Sequence, residues 1–339
     1  MCFIKRSNPN KNRGFLKLEF KWRMIEKEVA LVDERLREVV ETAGPEIKEV
    51  GDYIFNGTGK RIRPALFLIA AYRRDSDLLP LLDAAVALEL MHTASLLHDD
   101  VIDQASIRRG KEAVHIRWSN KISVLSGDYL LSRAFKMLVG YEDWRLMNIV
   151  VNIVENMAEG EVEQAFADIA SPDLEERYFK WIGKKSASFF AGCCRAGSLL
   201  GGDKPSEQML WSEFGYNLGI AFQLIDDLLD YTGEDGVTGK PLYGDLSNKV
   251  ITLPLIRTVK LNLEEGNINQ LLEDDEATGS QIGDAAQVIL EGDGPAYTYR
   301  KAEEHAKQAA AIINKLQPLN RDKSEVLEQL THNLLLRKK

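Results

Sequence analysis

The chain has 339 residues, 45% of them apolar and 28% charged, which is enough to bury a substantial core and ordinary for a globular protein. Its formal net charge of -9 excludes a general nucleic-acid binder, which needs an excess of Lys and Arg, so any phosphate site has to be a local basic cluster. The cysteines Cys2, Cys193 and Cys194 offer neither metal-ligand spacing nor a disulfide framework and point to a reducing, cytoplasmic setting, and the best apolar runs, such as that from Leu66, fall short of the roughly 18 uninterrupted residues of a membrane span.

In chain order, residues 1–23 carry Lys5, Arg6, Lys11, Arg13, Lys17, Lys21 and Arg23 against Glu19 and lack the apolar block of a secretory signal. They are expected to form a loosely ordered basic extension, or to precede a true start at Met24, with a transit peptide or an anionic-membrane contact as the alternative. Residues 24–339 are expected to form one helical domain. Leu31, Val32, Leu36, Val39 and Val40 recur at helical spacing, as do Val326, Leu327, Leu330 and Leu334 near the other end. Between them, Gly59-Lys60-Arg61-Ile62-Arg63-Pro64 places three cations where a helix should begin, so that backbone N–H groups can also face an anion; the bland alternative is a basic loop.

Further along come His92, then Asp99-Asp100-Val101-Ile102-Asp103, then Arg108-Arg109-Gly110. Ser171-Pro172-Asp173 predicts a helix start, with Ser171 as N-cap and Pro172 at the first helical position. Lys184-Lys185-Ser186 follows, Gly201-Gly202 marks a helix end, and Asp226-Asp227-Leu228-Leu229-Asp230 repeats the acidic pattern. Loops are expected around Gly233 to Gly244, before Lys249, and around Thr278 to Gly283. Strand-like alternation is nearly absent and no Pro/Gly/Ser-rich linker divides the chain, so the expected fold is all-α and a single domain.

The two D-D-x-x-D segments carry the chemistry. On a helix, positions i and i+4 share a face, so Asp99 stands above Asp103 and Asp226 above Asp230. Like charges so placed are mutually destabilising, and the apolar residues around both motifs argue against two solvated acidic faces. Hard oxygen ligands without His or Cys fit magnesium, which binds a few carboxylates together with substrate phosphate. A diphosphate would need basic partners as well, and the Lys and Arg clusters provide them.

The ordered segments GKRIRP, HTASLLHDDVID, IRRG, LSGDYLL, GEVEQ, KKSASFF, FQLIDDLLDY and GKPLYGDLSNKVITLP resemble the trans-polyprenyl diphosphate synthase family, over nearly the whole chain from Met24. The resemblance implies an all-α isoprenoid-synthase bundle around a central apolar cavity, working as a homodimer without a transmembrane segment. The activity implied is condensation of isopentenyl diphosphate with an allylic diphosphate. By the same resemblance Asp99, Asp100, Asp103, Asp226, Asp227 and Asp230 hold magnesium, three ions with substrate bound. Arg108, Lys185, Ser186, Gln223, Lys240 and Lys249 would contact the allylic diphosphate, with Lys185 and Lys240 also catalytic. Lys60, Arg63, His92 and Arg109 would hold isopentenyl diphosphate, although His92 taken by itself reads first as a buried core histidine. Thr58 and Asn248 stand where the family often has Gly, and Ser186 where it often has Thr; Ser keeps the hydroxyl.

Each helical turn rises about 5.4 Å, close to one isoprene unit. One turn below Asp99 lie Ala94 and Ser95, where short-chain family members tend to have an aromatic floor, and Met91 lies at the next level. A long product, hexaprenyl to decaprenyl, is therefore expected, unless these small residues serve only helix packing and another residue plugs the tunnel. A terpene cyclase or head-to-head coupling enzyme would lack GKRIRP or alter the second acidic motif, and a silent partner subunit would lose one of the motifs. A short-chain synthase, or the catalytic subunit of a heteromeric synthase, remains the alternative.

Overall fold

The computed structural model describes Trp22 and residues 24–336 except Thr58, 74–75, 234–241, 262–267, 269–273, 275–277 and 317–320. The chain is built from helices: α1 Glu26–Glu41, α2 Pro45–Phe55, α3 Ile62–Ala71, α4 Leu82–Ile102, α5 Val114–Arg117, α6 Asn120–Val139, α7 Trp144–Ala165 and α8 Leu174–Ile182. A π-helical turn, Gly183–Ala187, runs on into α9 Ser188–Leu200, followed by α10 Pro205–Thr232, α11 Gly244–Ser247, α12 Leu253–Leu261, α13 Gly279–Glu291, α14 Gly294–Ile313 and α15 Arg321–Leu336. Among the described residues the only strands, β1 Ile107–Arg108 and β2 Lys111–Glu112, form a two-residue antiparallel ladder whose turn is Arg109-Gly110.

Helices α4 and α10 lie at the centre. α4 packs along α6 and also meets α1 and α3, while α10 packs along α9 and α14. Close approach is possible because glycines stand at the crossings. A Cβ at Gly197 would come within 2.1 Å of the Phe67 carbonyl oxygen, and one at Gly215 within 2.5 Å of that of Phe190. The apolar stripe read in α1 is the buried one, with Val32, Leu36, Val39 and Val40 in the core and Leu31 half-buried. In α15, Leu327, Leu330 and Leu334 are buried likewise.

The expected helix end at Gly201-Gly202 is where α9 stops, with Gly202 at φ 83° in the left-handed region that glycine tolerates. Two boundaries differ. α8 begins at Leu174 rather than at Pro172, because the Ser171 hydroxyl donates to the Asp173 carboxylate (2.5 Å) instead of capping a backbone N–H. The loop expected from Thr278 to Gly283 is the first turn of α13, where Thr278 and Gln281 form a reciprocal capping box whose helix-start signal outweighs the two glycines. Of the loop expected from Gly233 to Gly244, residues 234–241 lie outside the described residues.

A third difference concerns hydropathy. The helical segment Leu79–Ile102 has the length and apolar composition of a membrane span, an 18-residue window of it reaching mean hydropathy 1.3, which uninterrupted runs do not reveal; 61% of that window is buried against the rest of the fold. It is the central core helix, and it carries a buried ion pair described below.

Candidate active site

Both acidic motifs lie in the last turns of long helices, Asp99 to Asp103 at the end of α4 and Asp226 to Asp230 at the end of α10. A helix C-terminus is its negative pole, so the carboxylates stand where the backbone already disfavours anions. Burial pushes the Asp99 carboxyl up to about 6; Glu161 and Asp103 push the same way, and Lys185 and Arg108 oppose them. Lys185 in turn is lowered by burial, but Asp99 and Glu161 more than offset this and its ammonium is held above the ordinary range. It pairs with the Glu161 carboxylate at 2.5 Å and donates to Gln164 Oε1 at 3.1 Å.

The middle aspartate of each motif is turned to the protein, as the roughly 100° per residue of a helix requires once its neighbours share the other face. Asp100 is 2% exposed and takes both Nε (2.7 Å) and Nη2 of Arg108 on one oxygen. Asp227 accepts the Tyr178 hydroxyl at 2.5 Å and Gln223 Nε2 at 2.8 Å, and burial raises its carboxyl to about 7. Asp226 is exposed and Asp230 half-buried, the latter accepting the backbone N–H of Asp245 at 3.1 Å.

The second cluster is basic. Arg63 stacks on Phe189 and Phe190, 5.0 Å from each ring centre, and its buried Nε makes no hydrogen bond. Burial lowers Arg63 and so does Arg109, whereas Glu89 and Asp226 raise it; the acidic and basic groups thus feel one another. His92 stands edge-on to Phe189 and is held well below the ordinary imidazole range by burial and by Arg63, Arg109, Arg108 and Arg61, so it is neutral at pH 7. Lys60 and Arg109 are exposed, and Arg109 Nη1 lies 3.5 Å from where a Cβ at Gly59, the residue before Lys60, would be.

Of the remaining expected residues, Ser186 sits in the π-helical turn and donates its hydroxyl to Gln223 Oε1 at 2.6 Å. Gly160 of α7 faces this turn, since a Cβ there would come 2.7 Å from the Lys185 backbone N. Lys249 follows α11 with φ 57°, and Lys240 lies outside the described residues. Met91 and Ala94 are buried, and Ser95 is half-buried with its hydroxyl donating to the His92 carbonyl at 2.9 Å. The sequence reading missed Tyr178, for which no local signal exists. It also missed the roles of Glu161 and Gln164, whose i, i+3 spacing in GEVEQ could have placed them on one face.

The donor set fits magnesium. Carboxylate oxygens at two helix C-termini, one of them held at about 6 by burial and like charge, call for a hard cation. Among the described residues no three His, Cys, Asp or Glu side chains are gathered closely enough to hold a metal ion by themselves.

The family model described as polyprenyl synthetase matches residues 44–289. Octaprenyl diphosphate synthase of Escherichia coli (strain K12) is 35% identical over 282 residues, covering 80% of this chain and 84% of that protein. Heptaprenyl diphosphate synthase component 2 of Bacillus subtilis (strain 168) is 30% identical over 314 residues, covering 92% and 88%. The crystal structure of a polyprenyl synthase from Caulobacter crescentus, complexed with calcium and isoprenyl diphosphate, superposes with a TM-score of 0.89 at 30% identity, over 94% of this chain and 98% of that one.

Proposed function

Because the chain belongs to the polyprenyl synthetase family, we infer that it is a trans-prenyltransferase that lengthens an allylic diphosphate with isopentenyl diphosphate units to a long-chain polyprenyl diphosphate. The observation that carries the reading is the meeting of Asp99, Asp103, Lys185 and Arg108 at the end of α4, beside a second, basic cluster of Arg63, His92 and Arg109 that Arg108 also influences.

The allylic diphosphate is assigned to the first site. Asp99, Asp103, Asp226 and Asp230 would hold three magnesium ions, which when bound stabilise negative charge on the departing diphosphate. Lys185, Arg108, Lys249 and Lys240 add fixed positive charge, with Ser186 and Gln223 as hydrogen-bonding partners. Asp100 and Asp227, which the resemblance also offers as magnesium ligands, are instead assigned positioning roles because both are buried against protein donors: Asp100 aims Arg108, and Asp227 ties Gln223 to Tyr178. Isopentenyl diphosphate is assigned to Lys60, Arg63, His92 and Arg109; neutral His92 donates one ring hydrogen without adding charge, and an acceptor oxygen would satisfy Arg63 Nε.

The allylic carbon–oxygen bond breaks, its electron pair leaving with diphosphate. The isopentenyl double bond attacks the allylic carbon to form the new carbon–carbon bond. A proton is then lost to the released diphosphate, so no side chain is needed as nucleophile or general base. The growing chain would pass Ala94 and Ser95 and then Met91, which supports hexaprenyl to decaprenyl lengths for quinone side chains. The alternative is a short-chain product. Free thiols at the buried Cys193 and Cys194 suit a cytoplasmic setting.

Exposed Ile122 and Leu125 on α6 and Trp144, Val151 and Val162 on α7 are apolar surface suited to a second copy in a homodimer. A second reading, the catalytic half of a heteromeric synthase, is favoured by the name component 2 carried by the Bacillus relative. Purified chain given magnesium, isopentenyl diphosphate and labelled farnesyl diphosphate should release product whose dephosphorylated alcohol is hexaprenyl or longer. Turnover only on adding a partner would favour the second reading, and no prenyl transfer under either condition would remove both.

A further inference from the structure

A pocket of about 500 Å³ lies between α7, the end of α8, the π-helical turn, α9 and the first half of α10, with no residue of either acidic motif in its lining. Its apolar lining is Ile149 and Ile153 of α7 with Ala191 and Gly192 of α9. Gly192 brings the two helices together, since a Cβ there would approach Ile153 Cδ1 to 2.3 Å. The polar lining is rich in donors and contains no carboxylate: Asn152, Asn156, Ser188, Ser212 and Tyr216 stand beside Lys180, Lys184 and Arg195.

The three cations differ in how they are satisfied. Lys180 pairs with Glu176 at 2.7 Å, and Lys184 with Glu159 at 2.8 Å and Glu163 at 2.6 Å. Half-buried Arg195 forms no ion pair among the described residues, and its Nε is buried without a hydrogen-bond partner. A guanidinium whose buried Nε lacks an acceptor, in a pocket whose lining includes no Asp or Glu, offers a free donor to an anion.

We propose that this pocket is a second, non-catalytic site for a diphosphate group, held by Arg195 with Lys180 at its rim. The choice of diphosphate among anions rests on the prenyltransferase reading, because that activity consumes prenyl diphosphates and releases inorganic diphosphate. The pocket wall includes Gly183 and Lys184, and the next two residues of the same π-helical turn, Lys185 and Ser186, serve the allylic site. Tyr216 clamps the turn from the pocket side, its hydroxyl lying 2.5 Å from where a Cβ at Gly183 would be. An occupant is therefore in mechanical contact with the segment that holds the allylic diphosphate.

The test is calorimetric titration of the full chain in EDTA, so that metal-dependent binding at the catalytic site is suppressed, with farnesyl thiolodiphosphate and separately with inorganic diphosphate. Metal-independent binding is expected in the wild type as two sets of sites, one at the Lys60, Arg63 and Arg109 cluster and one in this pocket. Arg195→Met should weaken the pocket's set about ten- to hundredfold and leave the other in place, Arg195→Lys should weaken it much less, and neither should change magnesium-dependent turnover at low substrate. Equal affinity for both ligands would make free diphosphate the occupant, and binding of the farnesyl analogue alone would add the apolar lining as a seat for its tail. Absence of metal-independent binding, or binding unchanged by Arg195→Met in a protein that melts like wild type, overturns the proposal. Loss of turnover in the wild type would instead count against the catalytic reading and leave the titration to be judged by itself.

Discussion

Arg61 Nη1 donates to Glu89 Oε1 across 2.6 Å between side chains that are each 3% exposed, and Arg61 Nε reaches Asp33 at 2.6 Å. Three helices are thereby joined at the residue that caps α3 from a left-handed conformation, φ 48°. Burial lowers the Arg61 guanidinium, but Glu89 and Asp33 more than compensate and hold it above its ordinary range. Arg61 is thus an anchor, and its neighbours Lys60 and Arg63 are positioned by it.

Glu89→Ala should accordingly cost about 3–5 kcal/mol in denaturant unfolding, since it leaves a buried charge without its partner. Glu89→Gln should cost less and still raise the KM for isopentenyl diphosphate several-fold, leaving that for the allylic substrate in place. Equal effects on both KM values would show that the triad does not act through the Lys60 and Arg63 segment.

Asp99→Ala and Asp226→Ala should each lower kcat by on the order of a hundredfold or more, as removal of charge opposite a developing anion does. Steady-state rates at saturating magnesium measure this, and undiminished rates in either variant would contradict the assigned chemistry.

The pH dependence follows from Asp99, whose folded value of about 6 lies above the ordinary 3.8. The stability it contributes is present below 3.8 and is lost as pH rises through 6, so the ionised group is a liability in the metal-free protein at neutral pH. Asp99→Asn should stabilise the metal-free protein by about 1–2 kcal/mol at pH 7 to 8, with the gain fading toward pH 4. Activity at limiting magnesium should run the other way and fall below pH 6. Thermal melts and rates across that range check both.

Magnesium alone should bind weakly, since this ion keeps several waters and is held by a few carboxylates together with substrate phosphate. Calorimetry should show affinity rising about tenfold or more when a diphosphate is present.

Tyr178→Phe removes the hydroxyl that Asp227 accepts and should cost about 1–3 kcal/mol in stability. It should also loosen the Ser186–Gln223–Asp227 chain, lowering kcat more than it changes the isopentenyl KM. Ser95→Phe, at a half-buried position one turn below Asp99, should shorten the product without abolishing transfer, as chromatography of the dephosphorylated alcohols would show.

Much of the site was legible because its chemistry is local. The i, i+4 spacing put Asp99 over Asp103 and Asp226 over Asp230, and the Gly/Pro-bounded basic segment did begin a helix, at Ile62. What stayed hidden depends on partners distant in the chain. Glu89 reads as one acid inside an apolar helix until Arg61 is seen against it, and Tyr178 lies 49 positions from the aspartate it serves. The capping box at Thr278 was written locally and overlooked because the glycines at 279 and 283 suggested a loop.

The π-helical turn at Gly183–Ala187 makes the stretch from Leu174 to Leu200 a single rod with a phase slip in its middle. Tyr178 above the slip and Phe189 below it are each aimed correctly only while the surplus residue is kept. Removing one residue there would re-clock everything upstream by roughly 100°, swinging Tyr178 off Asp227 while every side chain in the segment keeps its identity.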